Sequence, residues 1–284
     1  MAKYVITAII VTGTGVYAAV LIRDLVKNRS KIWGEPGRPL LIALVAPVIM
    51  FFATMGVSDF LMNTLFFQKM RLVDDKKLPG GLITAGIIPL SIVGIVYLLN
   101  AKVELSIIVV CMVCQTLGTI IGVRLVRGFS GTMVKRGVGI AMLVSSVFLV
   151  MRLLNVGAEG GGLYTFSVQK LVICGVLALF FGVCNMMGMG AKAPYMSLLL
   201  TLGLSSDAVL AVIMTACTMS SISGAIQFVR LDLYPRKIAL LYTTFGLIGI
   251  SIGFFFVTNL NQAVLQIIML IIAVYTGTTM LFAR

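Results

Sequence analysis

The chain contains no histidine, a single tryptophan and only nine acidic residues among 284. Without histidine it cannot build the imidazole-based metal sites and general bases that many enzymes use. Charged residues make up 11% of the chain and hydrophobic residues 60%, whereas a soluble domain has about 25% charged residues. This composition excludes an ordinary soluble domain and predicts a polytopic α-helical membrane protein.

Motifs of enzymes are missing as well. The sequence has no H-E-x-x-H, no G-x-S-x-G and no ATP-binding loop. All five cysteines lie in apolar segments, where we interpret them as small packing residues; they are Cys111, Cys114, Cys174, Cys184 and Cys217. We therefore expect no enzyme activity, no metal and no other cofactor.

Hydrophobic runs long enough to cross a bilayer recur along the chain. They cover residues 4–22, 40–57, 80–99, 104–123, 138–154, 171–187, 207–229, 238–257 and 262–282, with a shorter run at 193–204. The net charge of +13 is concentrated between them, in the loops 23–38, 69–77, 124–136 and 230–237. Because basic loops are retained in the cytoplasm during insertion, all four are predicted to be cytoplasmic. Nucleic-acid binding is not expected, since no basic stripe is interleaved with aromatic residues.

Two of these basic loops flank the run 40–57, so this run is not predicted to cross the membrane. Instead, residues 40–72 are predicted to enter and return as a re-entrant hairpin that breaks at "GVSD", residues 56–59. Segment 171–204 is predicted to be a second hairpin, which enters from outside and breaks at "GMGAK", residues 188–192. The other long runs then cross, with the N-terminus outside and the C-terminus in the cytoplasm.

The two halves of the chain match weakly at an offset of 131 residues, the separation of Thr84 from Thr215. The same offset aligns "GTIIG" (118–122) with "GISIG" (249–253). Together with the charge pattern, these matches predict two copies of one hairpin plus three helices. Since three crossings is an odd number, the second copy must be inverted, as in many secondary transporters. The alternative is a pair of parallel four-crossing repeats, which places loop 69–77 outside.

The predicted fold is therefore an all-α polytopic membrane protein with two inverted repeats. Each repeat is a re-entrant broken-helix hairpin plus three transmembrane helices, and one extra transmembrane helix precedes them. The corresponding divisions are an N-terminal helix with its loop at 1–38, a first repeat at 39–156, a glycine-rich linker at 157–169 and a second repeat at 170–284.

Asp59 and Lys192 are the charged residues predicted at membrane depth, one at each break. A charge at the bilayer centre costs about 2.5–3.5 kcal/mol on insertion scales, so such residues usually serve a function. Each hairpin returns as a half-helix whose N-terminus offers unpaired N–H groups and a positive dipole end to an anion. We interpret Lys192 as an anion ligand and Asp59 as a proton carrier or gating countercharge. In the alternative, the two side chains only neutralise each other.

Other candidates for substrate contact surround the two breaks. Glycine lets the backbone approach an anion closely, and Thr84 and Thr215 are chosen because the repeat places them symmetrically. Thr215, Thr218 and Ser221 share one helix face, with ordinary interhelical packing as the alternative. The predicted substrate-binding set is Lys192, Gly188, Gly190, Ala191, Asn185, Tyr195, Gly56, Ser58, Asn63, Thr84, Thr215 and Gln115.

From about residue 40 onward, the chain resembles the sulfite exporter TauE/SafE family, also called the TSUP transporters. The resemblance rests on the duplicated layout, the breaks "MGVSD" and "MGMGAK", the small polar segment "TACTMSSISGAIQF" (215–228) and the two G-x-x-x-G helices. It implies a plasma-membrane secondary transporter, an exporter of small sulfur-containing anions such as sulfite or organosulfonates. From the helix N-termini at the two breaks, we expect the anion to be held at the midplane between the hairpin tips, with transport driven either by a proton or by the anion gradient. Ala191 and Lys192 depart from the more glycine-rich second break of the family.

Three other functions stay open at this point. An anion channel would use the same tips as a filter, a transporter could carry a non-sulfur organic anion, and a membrane anchor would bind partner proteins without transport. The expected partners are the anionic substrate and the lipid bilayer. The sequence leaves the oligomeric state open, with a homodimer among the options, and it does not determine the direction of transport.

Overall fold

A computed structural model of the protein describes residues 2–54, 58–100, 102–154, 161–188, 192–256 and 262–282. The chain is all-helical, and the only β-pairing in these residues is an isolated bridge between Leu163 and Leu204. The helices are α1 (Ala2–Lys27), α2 (Arg29–Ile32), α3 (Pro39–Thr54), α4 (Asp59–Lys69), α5 (Leu78–Asn100), α6 (Leu105–Arg127), α7 (Gly131–Leu153), α8 (Val168–Met186), α9 (Lys192–Thr201), α10 (Ser206–Arg230), α11 (Arg236–Phe256) and α12 (Gln262–Phe282), with a 3-10 turn at Asp75–Lys77.

Seven of the described helices are long and apolar enough to cross a membrane: α1, α5, α6, α7, α8, α10 and α11. This confirms the prediction of a polytopic helical membrane protein. α3 has 16 residues, about 24 Å of helix, which is shorter than the roughly 30 Å hydrocarbon core. α8 has 19 residues, about 28 Å, and is the longer of the two helices that precede a break.

The four basic loops predicted from the sequence meet at one end of the helix bundle. The Glu35 carboxylate accepts hydrogen bonds from the backbone N–H groups of Arg236 (3.0 Å) and Lys237 (2.8 Å). Lys77 lies 3.8 Å from Asp232, and Gly131 packs against Asp75 in the 3-10 turn. These contacts join loops 23–38, 69–77, 124–136 and 230–237 into one surface, the basic end.

A second set of loops meets at the opposite end of the bundle, the far end. The backbone N–H of Glu104 donates to the Tyr164 carbonyl at 2.9 Å, and that of Ser205 donates to the Leu163 carbonyl at 2.9 Å. The Lys170 ammonium donates to the Leu202 carbonyl at 2.8 Å. The loops before α6, before α8 and after α9 therefore share the far end.

Two helical hairpins open at opposite ends of the bundle. The α3–α4 hairpin opens at the basic end, where Gly37, just before α3, packs against Leu72, just after α4. The α8–α9 hairpin opens at the far end, where Lys170 near the start of α8 reaches Leu202 after α9. The two hairpins therefore enter the bundle from opposite sides.

Helices from the first half of the chain pack against helices from the second half. α6 packs against α8 and α11 packs against α3, while α6 also contacts α10 and α11 contacts α5. The G-x-x-x-G segments take part in close contacts of this kind: Gly118 lies against the Leu179 carbonyl of α8, and Gly249 lies against the Pro47 carbonyl of α3. Glycine is required here because a Cβ at either position would overlap the facing carbonyl oxygen.

α1 is tied to the rest of the bundle by polar contacts that sequence reasoning did not identify. The Asp24 carboxylate accepts from the Arg236 guanidinium at 2.7 Å and from the Tyr234 hydroxyl at 2.6 Å. Burial and the nearby Asp24 carboxylate raise the pKa of Tyr234, which keeps its hydroxyl a donor. In the middle of α1, the Tyr17 hydroxyl donates to the Thr84 carbonyl at 3.0 Å.

Candidate functional site

The first residues of α4 and α9 form an ion pair in the interior of the bundle. The Lys192 ammonium lies 2.8 Å from Oδ1 of Asp59. The Asp59 side chain is 1% exposed and that of Lys192 is 21% exposed. The structure thus brings together the two charged residues predicted at the breaks, and it does so where the N-termini of two short helices meet.

The ion pair borders a small cavity between the hairpins and the central turns of α5 and α10. The cavity has a volume of about 30 Å³, which is room for one or two water molecules. Its polar wall comes from α10, and the remaining wall is apolar. In addition to the pair, the lining residues are Phe60, Leu82, Ile83, Ile87, Leu90, Met214, Cys217, Thr218 and Ser221. This volume is well below the range of about 300–1,000 Å³ that is usual for small-ligand sites.

Buried polar atoms without hydrogen-bond partners are concentrated in the predicted site residues. Among the described residues, eight such side-chain atoms are found, and five belong to that set: Oδ2 of Asp59, Nδ2 of Asn63, Oε1 of Gln115, Oδ1 of Asn185 and Oγ1 of Thr215. Buried polar groups are nearly always paired, and an unpaired one costs about 1–3 kcal/mol. Buried donor and acceptor atoms without partners are expected where a ligand or water binds.

Two of the candidate amides connect to the polar wall of the cavity. The Gln115 side chain of α6 donates to the Cys217 sulfur at 3.2 Å, and the Asn185 side chain of α8 donates to the Ser221 hydroxyl at 3.5 Å. Each amide is therefore separated from the cavity by a single side chain, that of Cys217 or Ser221. They hold the wall residues in place and keep one acceptor oxygen unpaired.

Asn63 and Tyr195 occupy related places on the two short helices. Asn63 lies one turn after Asp59 on α4, and its carbonyl oxygen accepts from the Tyr242 hydroxyl of α11 at 2.6 Å. Tyr195 lies one turn after Lys192 on α9, with its hydroxyl 4.0 Å from the Cys174 sulfur and its ring 5.1 Å from that of Phe181. Neither residue lines the cavity, and both fasten a short helix to its neighbours.

Thr84 and Thr215, which the predicted repeat places symmetrically, do not line the cavity. The Thr84 hydroxyl donates to the Gly80 carbonyl within α5, whereas the Thr215 hydroxyl is buried without a partner among the described residues. Ser58 is the N-cap residue of α4, and its side chain makes no capping hydrogen bond.

Gly188 is the predicted tip glycine that the structure describes. Its φ of +83° lies in the left-handed region, which glycine adopts without the steric cost that other residues carry. A side chain there would also meet Val138. Gly56, Gly190 and Ala191 lie outside the described residues.

Sequence reasoning missed part of the cavity wall. Cys217 was interpreted as a packing residue, yet it lines the cavity beside the ion pair. Thr218 and Ser221 share a face with Thr215 in the sequence, and the structure selects the first two for the cavity. The three-residue spacing of these side chains indicates that they share a helix face. It does not indicate which of them line a cavity.

Comparison of the chain with protein-family models, with curated proteins and with solved structures gives no match. The resemblance to the TauE/SafE family therefore stays a prediction.

Proposed function

We propose that the protein is a secondary transporter that carries a small sulfur-containing anion, such as sulfite or an organosulfonate, across the plasma membrane. The observation that carries this proposal is the buried Asp59–Lys192 pair at the meeting point of two helix N-termini. A cationic side chain together with two helix N-termini suits an oxyanion. The sulfur-containing substrate class comes from the TauE/SafE resemblance.

In this proposal the chain consists of two inverted repeats, and each hairpin is re-entrant. The exchanged packing of α6 on α8 and of α11 on α3 supports the repeat, because interchange of the halves maps one pair onto the other. The opposite openings of the hairpins support their re-entrant character. Non-helical breaks at membrane depth are tolerated where they are buried in protein or line a cavity.

The ion pair provides a means of coupling the anion to a proton. With Asp59 ionised, Lys192 is already neutralised, and an anion must compete with the carboxylate for it. When Asp59 takes up a proton, the ion pair is lost and Lys192 becomes available to the anion. Loss of that proton restores the pair and displaces the anion, so the two species travel together.

Alternating access would follow from movement of the hairpins about this site. α4 packs against α12 and α9 packs against α7, while α7 and α12 pack against each other. A shift of α4 opens the site toward the basic end, which the proposal places in the cytoplasm, and a shift of α9 opens it toward the far end. The conformation with the small cavity is then the intermediate between the two open states.

The direct test is uptake of radiolabelled sulfite into proteoliposomes by Lys192→Ala. We expect this variant to insert and fold but to lose at least about 90% of transport, since it loses the one full positive charge at the site. Lys170→Ala is the matched control, because Lys170 lies at the far end and donates to a backbone carbonyl. Wild-type uptake by Lys192→Ala would refute the assignment of the site.

The same preparation separates the competing functions. Competition by methanesulfonate, thiosulfate and acetate tests whether sulfur anions are preferred. Single-channel currents in planar bilayers would indicate a channel, and absence of transport of every anion in the panel would indicate an anchoring role.

A further inference from the structure

A second polar pocket lies at the basic end and shares no lining residue with the cavity beside the ion pair. Its volume is about 450 Å³, within the usual range of about 300–1,000 Å³ for small-ligand sites. Its walls are the C-terminal part of α4, the loop that follows, the start of α7 and the end of α12. We call this space the basic pocket.

The basic pocket carries a surplus of positive charge. Lys69, Arg71 and Lys135 line it, and Asp75 is its single acid. The Asp75 carboxylate accepts a hydrogen bond from the Gln68 amide at 3.2 Å. In the described part of the chain, none of the three cations forms an ion pair. Three cations against one acid leave two positive charges for a ligand to neutralise.

The pocket also contains an unpaired buried hydroxyl. Thr276 of α12 lines it and is 1% exposed. Its Oγ1 has no hydrogen-bond partner among the described residues, although buried hydroxyls are usually paired. An acceptor oxygen supplied by a ligand would satisfy this donor.

We propose that the basic pocket binds a phosphomonoester group, at a site separate from that of the transported anion. A phosphomonoester is a dianion, which matches the surplus charge, and its oxygens accept from both ammonium and guanidinium donors. Leu65, Val73 and Met280 add apolar surface to the pocket, which suits the hydrocarbon part of such a ligand. The group comes either from an acidic lipid, as in basic pockets between transmembrane helices, or from a soluble phosphate ester.

Calorimetric titration of the purified full-length protein in neutral detergent tests this proposal. The probes are dioctanoyl phosphatidic acid, glycerol 3-phosphate and dioctanoyl phosphatidylcholine. We expect saturable binding of at least one phosphomonoester and none of phosphatidylcholine. Binding of phosphatidic acid alone identifies a lipid headgroup, and equal binding of glycerol 3-phosphate identifies a soluble ligand. If neither phosphomonoester binds, the proposal is wrong.

Two sets of charge-removing variants locate the binding site. The pocket variant is Lys69→Gln/Arg71→Gln/Lys135→Gln, and the control variant, which removes three exposed cations at the end of α1 and in α2, is Lys27→Gln/Arg29→Gln/Lys31→Gln. We expect the pocket variant to raise the Kd by more than about tenfold, the effect of losing one charge-assisted hydrogen bond. The control variant should bind as the wild type does. Equal weakening of both would mean that surface charge alone attracts the ligand.

A variant without a charge change keeps the proposal testable if the triple variant fails to fold. Thr276→Val preserves side-chain shape and removes the unpaired hydroxyl. It should raise the Kd for the phosphomonoester by about three- to tenfold, whereas Lys192→Ala should bind it as the wild type does. Undiminished binding by Thr276→Val together with weakened binding by Lys192→Ala would place the ligand at the other site and refute the proposal.

Discussion

At the scale of single residues, Asp59 and Lys192 present a thermodynamic problem that favours a functional role. Desolvation of both charges offsets much of their attraction, so a buried ion pair is weak evidence for stability. A pair of apolar side chains of similar volume would serve the packing equally well. The unpaired Oδ2 of Asp59 adds a further cost. We infer that the pair is kept because one of its members exchanges partners.

Asp59→Asn should uncouple the anion from the proton. Asparagine has nearly the same shape as aspartate but cannot gain or lose a proton, and it leaves Lys192 without an ion pair. We expect anion exchange across proteoliposomes to persist and stimulation by a pH gradient to disappear. Without anion the variant should be destabilised by about 3 kcal/mol, because an unpaired charge remains buried, and saturating anion should restore much of that loss.

The control for this experiment removes both charges. Asp59→Leu/Lys192→Met replaces the ion pair by apolar groups, so thermal stability should be equal to or above that of the wild type, with transport abolished. Full stimulation of Asp59→Asn by a pH gradient would show that the proton is carried elsewhere.

The sequence allows prediction of candidate polar residues but not of their partners. Gln115 and Asn185 stand out because each interrupts an apolar run, and Asp59 because it is an acid at the predicted break. That Gln115 reaches Cys217, and that Asn63 reaches Tyr242, depends on helices more than 100 positions apart in the chain. No periodicity within one helix contains that information, which is why the cavity wall was predicted only in part.

At the scale of helices, the glycines of the two G-x-x-x-G segments allow α6 and α11 to pack closely against the hairpins. Gly249 of α11 faces the Pro47 carbonyl of α3, and Gly118 of α6 faces the Leu179 carbonyl of α8. Without a hydrophobic driving force between helices in lipid, close van der Waals packing of this kind is a main source of association. The two segments that match weakly in the sequence, "GTIIG" and "GISIG", thus each pack against the first helix of a hairpin.

Gly249→Ala should separate α11 from α3 and destabilise the protein by about 1–3 kcal/mol, because the added methyl group overlaps a backbone carbonyl. The measurement is the melting temperature in detergent. Gly137→Ala is the matched control, since a methyl group at this position would meet no heavy atom of the described chain within 4 Å. Alanine also favours the helix over glycine, so the control should melt at the same temperature or slightly higher. A melting temperature of Gly249→Ala equal to that of the control would contradict the packing argument.

The lengths of these elements were less predictable than their positions. The run 40–57 corresponds to α3 at Pro39–Thr54, and the run 171–187 corresponds to α8 at Val168–Met186. Hydropathy shows where apolar residues lie, but the ends of helices depend on local capping and tertiary contacts. Ser167, for example, accepts a hydrogen bond from the Lys170 N–H and starts α8 earlier than the apolar run does.

At the scale of the whole molecule, the positively charged loops are grouped at one end of the helix bundle. The four basic loops contact one another at the basic end, although they come from distant parts of the chain. Charge counting predicted this grouping because insertion retains basic loops on one side. It could not predict that Glu35 and Asp232 would hold the loops together, since these acids are indistinguishable in sequence from other loop residues.

The orientation of the bundle gives the last prediction, which separates inverted from parallel repeats. In a cysteine-free background, cysteine introduced at Lys76 lies at the basic end, and cysteine at Lys102 lies before α6 at the far end; both positions are exposed. A membrane-impermeant maleimide added outside intact cells should label the Lys102 position and leave the Lys76 position unlabelled until the cells are opened. Lys27→Cys serves as the reference, because both repeat models place loop 23–38 in the cytoplasm. Parallel repeats place loop 69–77 outside, so labelling of the Lys76 position in intact cells, with Lys27 still protected, would reject the inverted arrangement and the re-entrant α3–α4 hairpin with it.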